Sequence, residues 1–186
     1  VPTHERVLYL TFDDGPIPEV TPWILDVLKA FDAKATFFCV GENVLRYPDI
    51  YQRILTEGHS TGNHTHNHLN GWKTKTPDYL RNVRRCAHLV RSSLFRPPYG
   101  RLSPCQHASL ERHYTIVLWD VLSGDFDQNV DAQQCLENVV ENAANGSIIV
   151  LHDNIKTAEK LRFVLPQLLR HFTLQGYRFE RLISTR

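Results

Sequence analysis

The feature that most constrains this chain is an alternation of two hydrophobic patterns along its whole length. Short runs, most of them β-branched or aromatic, recur at residues 7–10, 35–40, 59–63, 94–96, 115–119, 147–151 and 177–183, and each reads as a strand. Stretches with apolar residues at helical spacing fall between them, at 21–31, 49–57, 76–92, 103–113, 131–144 and 158–174. Thr21-Pro22 and Thr76-Pro77 have the form of helix starts, with Thr as cap and Pro at the first helical position. Gly58, Gly146 and Gly176 mark helix ends. Regular alternation implies parallel strands covered by helices. The resulting expectation is an α/β fold, either a small irregular β/α barrel or an open doubly wound sheet. With 186 residues, no internal repeat and no linker, residues 1–186 are expected to form one domain.

Folds of this kind concentrate their chemistry at the C-terminal ends of the strands. The first strand runs into Thr11-Phe12-Asp13-Asp14-Gly15-Pro16, where Gly15-Pro16 stops it. Two adjacent carboxylates repel, so a site that keeps both needs a cation or holds one as an acid. The strand at 59–63 delivers Asn63-His64-Thr65-His66-Asn67-His68. His64 and His68 converge on one face if the segment is a helical turn, and an irregular loop of that length can also bring them together. With Asp14 they make a three-ligand set of the catalytic zinc type. His66 is expected to point elsewhere, and His59 to be a core histidine. Asp13 is then free to act as a general base and His152, at the end of 147–151, as a general acid. In Arg96-Pro97-Pro98-Tyr99 two prolines supply no N–H, which leaves the Tyr99 N–H as an oxyanion contact. Each motif also has a plainer reading: a solvated Asp-Asp-Gly turn, a surface histidine run, a structural histidine, a rigid proline loop.

Composition narrows the partners. A formal net charge of +1 and no dense Lys/Arg block give no support for a nucleic-acid partner. No stretch approaches the roughly 18 apolar residues of a membrane span. Cys39, Cys86, Cys105 and Cys135 contain no C-x-x-C pair, so they form neither a zinc knuckle nor a redox motif. Cys39 reads as buried packing, and a disulfide among the other three is left open. The chain begins with Val and not Met, from which a processed product with a removed signal peptide and an extracytoplasmic location are expected.

Taken in order, Thr11 to Pro16, Gly62 to His68, Arg96 to Gly100, Asp125 near Trp119-Asp120, and Val150 to Asp153 resemble the motifs of polysaccharide deacetylases, the carbohydrate esterase family 4 enzymes. The resemblance spans residues 7 to about 183. It implies a distorted (β/α) barrel of about seven parallel strands and a divalent metal, usually Zn2+. It also implies Asp14, His64 and His68 as metal ligands, Asp13 as base and His152 as acid. Arg96 would hold Asp13, the Tyr99 N–H would face the oxyanion, Asp125 would orient His152, and Val150 would line the acetyl pocket. The chain departs from the pattern at Phe126, where many members have Trp, at Leu122, where an acid is common, and at Val150, where many have Leu. The activity implied is removal of N-acetyl groups from an N-acetylglucosamine-containing polysaccharide, peptidoglycan or a chitin-like oligomer, by a monomer. The alternatives are an O-acetyl esterase on xylan-like polymers and a non-catalytic carbohydrate-binding member. Trp72 is either a sugar-stacking platform or a packing residue.

Overall fold

A computed structural model describes residues 1–183, so the last three residues of the expected domain lie outside the described residues. Among the described residues there are eight parallel strands: β1 (Val7–Asp13), β2 (Ala35–Cys39), β3 (Ser60–Asn63), β4 (Leu94–Phe95), β5 (Thr115–Ile116), β6 (Val121–Leu122), β7 (Ile148–His152) and β8 (Arg178–Phe179). Their order is β5-β4-β3-β2-β1-β7-β6, with β8 paired to the first residues of β1. Seven α-helices among the described residues accompany them: α1 (Val20–Ala30), α2 (Gly41–Arg46), α3 (Pro48–Thr56), α4 (Thr76–Ala87), α5 (Pro104–Leu110), α6 (Ala132–Asn142) and α7 (Ala158–Leu174).

The two ends of the seven-strand path, β5 and β6, are joined by only residues 117–120. Such a short connection spans at most about 18 Å, so the sheet must curl back on itself. The result is a single-domain distorted (β/α) barrel, as the alternation and the resemblance imply. Strand pleating sorts the side chains. Leu8, Leu10 and Phe12 of β1 join the large core beneath the helices, with Phe37 of β2 and Ile149 and Leu151 of β7. The opposite face of the sheet holds a smaller cluster in which Phe38, Leu94 and Val117 pack with Tyr9 and Ile148. Asp13, on the same face as Tyr9, therefore faces the barrel interior at the end of its strand.

Several expected elements differ from those observed. The strand expected at 115–119 ends at Ile116, and a second short strand, β6, follows. The Val117 and Leu118 carbonyls are taken by the Arg96 guanidinium instead of a neighbouring strand, at 3.2 and 2.9 Å. Helix α2 was absent from the expectation because only one of its apolar residues, Val44, is buried, and one contact leaves no period to read. Helix α4 stops at Ala87, short of residue 92: Leu89 donates three residues back, to Cys86, and Ser92 only two back, to Val90, so the i→i−4 ladder is not continued. The last strand is two residues long: Glu180 still donates to the Leu8 carbonyl of β1, and by Leu182 the chain has moved off to donate to the Thr36 hydroxyl. All four cysteines are free, three of them buried, so no disulfide forms.

Candidate active site

Register brings the candidate residues together. Asp13 of β1 lies opposite His152 of β7, and β2 and β3 continue the same row of strand ends toward His64. Immediately after β1 the backbone of Asp14 turns into the left-handed region, at φ 91°. It is held there by the Asp14 N–H on the Phe38 carbonyl and the Asn43 side chain on the Asp14 carbonyl. The buried Asp153 carboxylate fixes the next step, accepting the Gly15 N–H at 2.8 Å and the Thr21 hydroxyl at 2.6 Å. Burial leads the causes that push Asp153 up, to about 8.

Residues 64–68 form an irregular loop, not a helical turn. Thr65 and His68 both have positive φ, at 62° and 52°. A β-branched residue rarely accepts that conformation. Here the surroundings impose it. The Thr65 N–H is bound by the buried Asn63 side chain, its carbonyl by the Gly41 N–H, and its hydroxyl by the Leu69 N–H. The N–H groups of His66 and Asn67 both go to the Asn82 side chain. Four of the six non-glycine residues with positive φ are Asp14, Thr65, His68 and Tyr99, so strained backbone is concentrated at this site.

The loop aims two imidazoles at one carboxylate. His68 Nε2 lies 3.1 Å and His64 Nε2 3.8 Å from Asp14 Oδ1. That oxygen is buried, and no proton is aligned to it as a hydrogen bond. His64 Nδ1 lies 2.7 Å from the Arg96 carbonyl, which requires the proton on Nδ1 and leaves Nε2 with its lone pair. Burial, partly opposed by Asp13, lowers the His64 pKa to about 4, so the ring is neutral near pH 7. Burial raises the Asp14 carboxyl, but the His68 imidazole at 3.1 Å, with His64 and His152 beyond it, outweighs this and holds it below the usual carboxylate range. One ligand atom from each of the three residues lies within 4.8 Å of the other two. Two ring nitrogens and one carboxylate oxygen converging on one point, with the His64 lone pair already turned inward, are what a cation site requires, and two nitrogens with one oxygen suit Zn2+.

Asp13 is treated differently from its neighbour. Its Oδ1 accepts from Arg96 Nη1 at 2.8 Å, and the same Nη1 donates to the Thr11 hydroxyl at 2.7 Å. The guanidinium is fully buried and stacks 4.2 Å from the centre of the Phe38 ring. Asp13 Oδ2 faces His64 Nε2 at 4.0 Å. Across the cavity, His152 Nδ1 pairs with Asp125 Oδ1 at 2.8 Å, and the other Asp125 oxygen accepts the His152 backbone N–H at 2.7 Å. Burial lowers the His152 pKa, but the Asp125 hydrogen bond and charge, with Asp13 and Asp14 beyond, carry it up to about 9.

Asp13, Asp14, His64, His68 and His152 line one cavity of about 520 Å³, with Arg96 and Asp125 buried behind Asp13 and His152. Val150 and Leu122 line it too, and Phe126 packs edge-on against His152 at 5.4 Å. Tyr99 stands over His68 with ring centres 4.8 Å apart. Thus Asp13, Asp14, His64, His68, Arg96, Tyr99, Asp125, Phe126, Val150 and His152 all meet at one mouth of the barrel. His59 instead lies in the core, accepting the Ala35 N–H and meeting Phe37 edge-on. His66 turns toward Gly41, away from the cavity. The sequence reading missed several contributors. Arg101, Trp119 and Lys156 line the cavity. Asn154 donates to Asp14 Oδ2 at 3.1 Å. Asp153 carried no assigned role, although its position beside His152 was a signal. Arg101, beside the Arg96–Gly100 motif, offered one as well.

Fold and side chains define a class: β/α barrels that set a paired acid and base beside a His–His–carboxylate donor set. A family profile described as polysaccharide deacetylase matches residues 1–113. A peptidoglycan-N-acetylglucosamine deacetylase of Bacillus cereus is 36% identical over 96% of this chain and 87% of its own length. The peptidoglycan-N-acetylmuramic acid deacetylase PdaC of Bacillus subtilis is 32% identical over 95% of this chain but 38% of its own. The crystal structure of the Bc1960 peptidoglycan N-acetylglucosamine deacetylase superposes with a TM-score of 0.88 at 34% identity, over 97% of this chain and 88% of that one. The chain belongs to the polysaccharide deacetylase family, a family of hydrolytic deacetylases.

Proposed function

We propose that residues 1–186 are one catalytic domain that removes N-acetyl groups from an N-acetylglucosamine-containing glycan, peptidoglycan or a chitin-like oligomer, acting as a monomer. The observation that carries the reading is the buried Oδ1 of Asp14, without an aligned hydrogen bond, facing the Nε2 atoms of His64 and His68 beside an Arg-held carboxylate. Asp14, His64 and His68 would hold a divalent cation, most simply Zn2+, which when bound acidifies water and polarises an acyl carbonyl. Asp13 is the general base, oriented by Arg96, whose other donors are committed to fixed carbonyls and cannot follow a moving carboxylate. His152 is the general acid. Its pKa of about 9 keeps it protonated near pH 7, ready to give a proton to the leaving amine. The Tyr99 N–H serves the oxyanion, where one preorganised donor contributes about 3–4 kcal/mol to the transition state. Val150 and Phe126 bound the space for the acetyl methyl group.

No helix among the described residues is long and apolar enough to cross a membrane. The relatives named for peptidoglycan support work outside the cytoplasmic membrane, where that polymer lies. The deciding experiment measures acetate release from chitin oligomers, peptidoglycan and acetylated xylan, with and without a chelator. Chelator-sensitive release from the first two is expected. Release from xylan alone would replace the amide reading with an ester one, and bound sugar without turnover would support a carbohydrate-binding role.

A further inference from the structure

The charges of the cavity cancel pairwise except at its rim. Asp13 is matched by Arg96 and His152 by Asp125. Asp14 remains for the cation its donor set fits. Apart from Asp13 and Asp14, no carboxylate lines the cavity among the described residues. Two exposed cations do, Arg101 and Lys156. They approach from opposite sides: Arg101 follows the turn after β4, and Lys156 lies in the turn after β7, with β3, β2 and β1 between those strands. Arg101 and Lys156 themselves enter no ion pair among the described residues.

Both cations are carried on anchored backbone. Arg101 lies over the exposed Trp72 indole, 4.8 Å from its centre, and the indole N–H is bound to the Leu102 carbonyl. The turn bearing Trp72 is pinned by the buried Gln106 side chain, which donates to the Gly71 and Thr74 carbonyls. A guanidinium stacked by its face keeps its N–H edge free for a carboxylate. Lys156 sits in a turn capped by Asn154, whose side chain also binds Asp14. A neutral glycan offers these cations only hydroxyl and amide acceptors, whereas a carboxylate next to the acetamido sugar offers them a charge-assisted partner.

We infer that Arg101 and Lys156 form a cationic rim selecting acetylated glycans that carry a carboxylate near the reacting sugar. The inference rests on the deacetylase reading of the cavity. It is tested with peptide-free N-acetylglucosamine–N-acetylmuramic acid oligosaccharides and the same oligosaccharides with their lactyl carboxylates reduced to alcohols. Acetate release is measured with the metal-loaded full chain, and binding with the same chain in chelator. The carboxylated glycan is expected to have a kcat/KM and an affinity about 5-fold higher at low salt, a margin that shrinks as salt screens it. Arg101→Gln and Lys156→Gln each lower that margin while leaving turnover of the reduced glycan within about 2-fold. Equal handling of the two glycans, or variants that lose activity on both alike, would overturn the rim. No acetate from any glycan would refute the deacetylase reading instead. The binding comparison then still decides the rim, a margin for the carboxylated glycan supporting it and equal affinities overturning it.

Discussion

Replacing Arg96 by Met tests how the barrel and its base depend on one another. Met fills much of the apolar stem's space but supplies no donor. The change removes hydrogen bonds to Asp13, Thr11, Val117 and Leu118 from a residue with no exposed surface. Asp13, itself only 3% exposed, is left as a buried charge without its cation. Breaking a buried pair from one side costs about 3–5 kcal/mol. The Val117 carbonyl, buried with its residue, adds about 1 kcal/mol, while the more exposed Leu118 can turn to water. The sum is a large part of the roughly 5–15 kcal/mol that holds a domain folded. At about 2–4 °C per kcal/mol for a chain of this size, the Tm falls by roughly 10–20 °C. Calorimetry on Arg96→Met, Asp13→Asn and the double variant checks the cause as well as the size. With Asp13→Asn already made there is no charge to strand, so the added cost of Arg96→Met drops by about 2 kcal/mol or more. A single-variant cost under about 1 kcal/mol, or additivity within about 0.5 kcal/mol, would refute the account of Arg96 as the partner of an ionised Asp13.

The remaining predictions concern the site's proton and metal chemistry and one turn. Turnover falls as pH rises through about 9, where His152 loses the proton it must donate, while the stability from its pair with Asp125 is present in full below about 6.5 and is lost as pH rises from there to about 9. Asp125→Asn moves that alkaline limb to lower pH in a pH–rate profile, and an unmoved limb would reject His152 as the acid. His64→Ala is expected to emerge from dialysis without stoichiometric metal, whereas Asp13→Asn retains it and loses about 10²- to 10⁴-fold in kcat. Metal content by atomic emission separates the two, and undiminished metal in His64→Ala would remove that residue from the ligand set. At Gly15 an added Cβ would sit 1.8 Å from Asp153 Oδ2. Gly15→Ala should therefore cost about 1–3 kcal/mol in thermal unfolding, and an unshifted Tm would contradict the tightness of that turn.

Much of this arrangement was legible before any coordinates because strands and helices carry different periods. The 3.6-residue spacing of Ile24, Leu25, Leu28 and Phe31 and the compact run ending at Asp13 need no tertiary information to be recognised. Elements with too few buried residues to show a period were missed, α2 and β6 among them. The long strand expected at 115–119 failed for another reason. Its residues are β-branched and apolar, but two of its carbonyls are claimed by the guanidinium of Arg96, just after β4, which local propensity cannot register.

The amino-acid sequence by itself determined the class of fold and which side chains stand at the strand ends. Those follow from hydrophobic period and from Gly and Pro stops, which act within a few residues. Tertiary structure decided which nitrogen of His64 carries the proton, because the deciding carbonyl belongs to Arg96, 32 residues away. It also decided that Thr65 and His68 accept left-handed backbone, since contacts from Asn63, Gly41 and Leu69 hold the loop there. The meeting of Arg101 and Lys156 across one cavity depends on the curl that brings the turns after β4 and β7 face to face. Distances between elements are set by packing, and packing is the property of a chain that no single stretch of it contains.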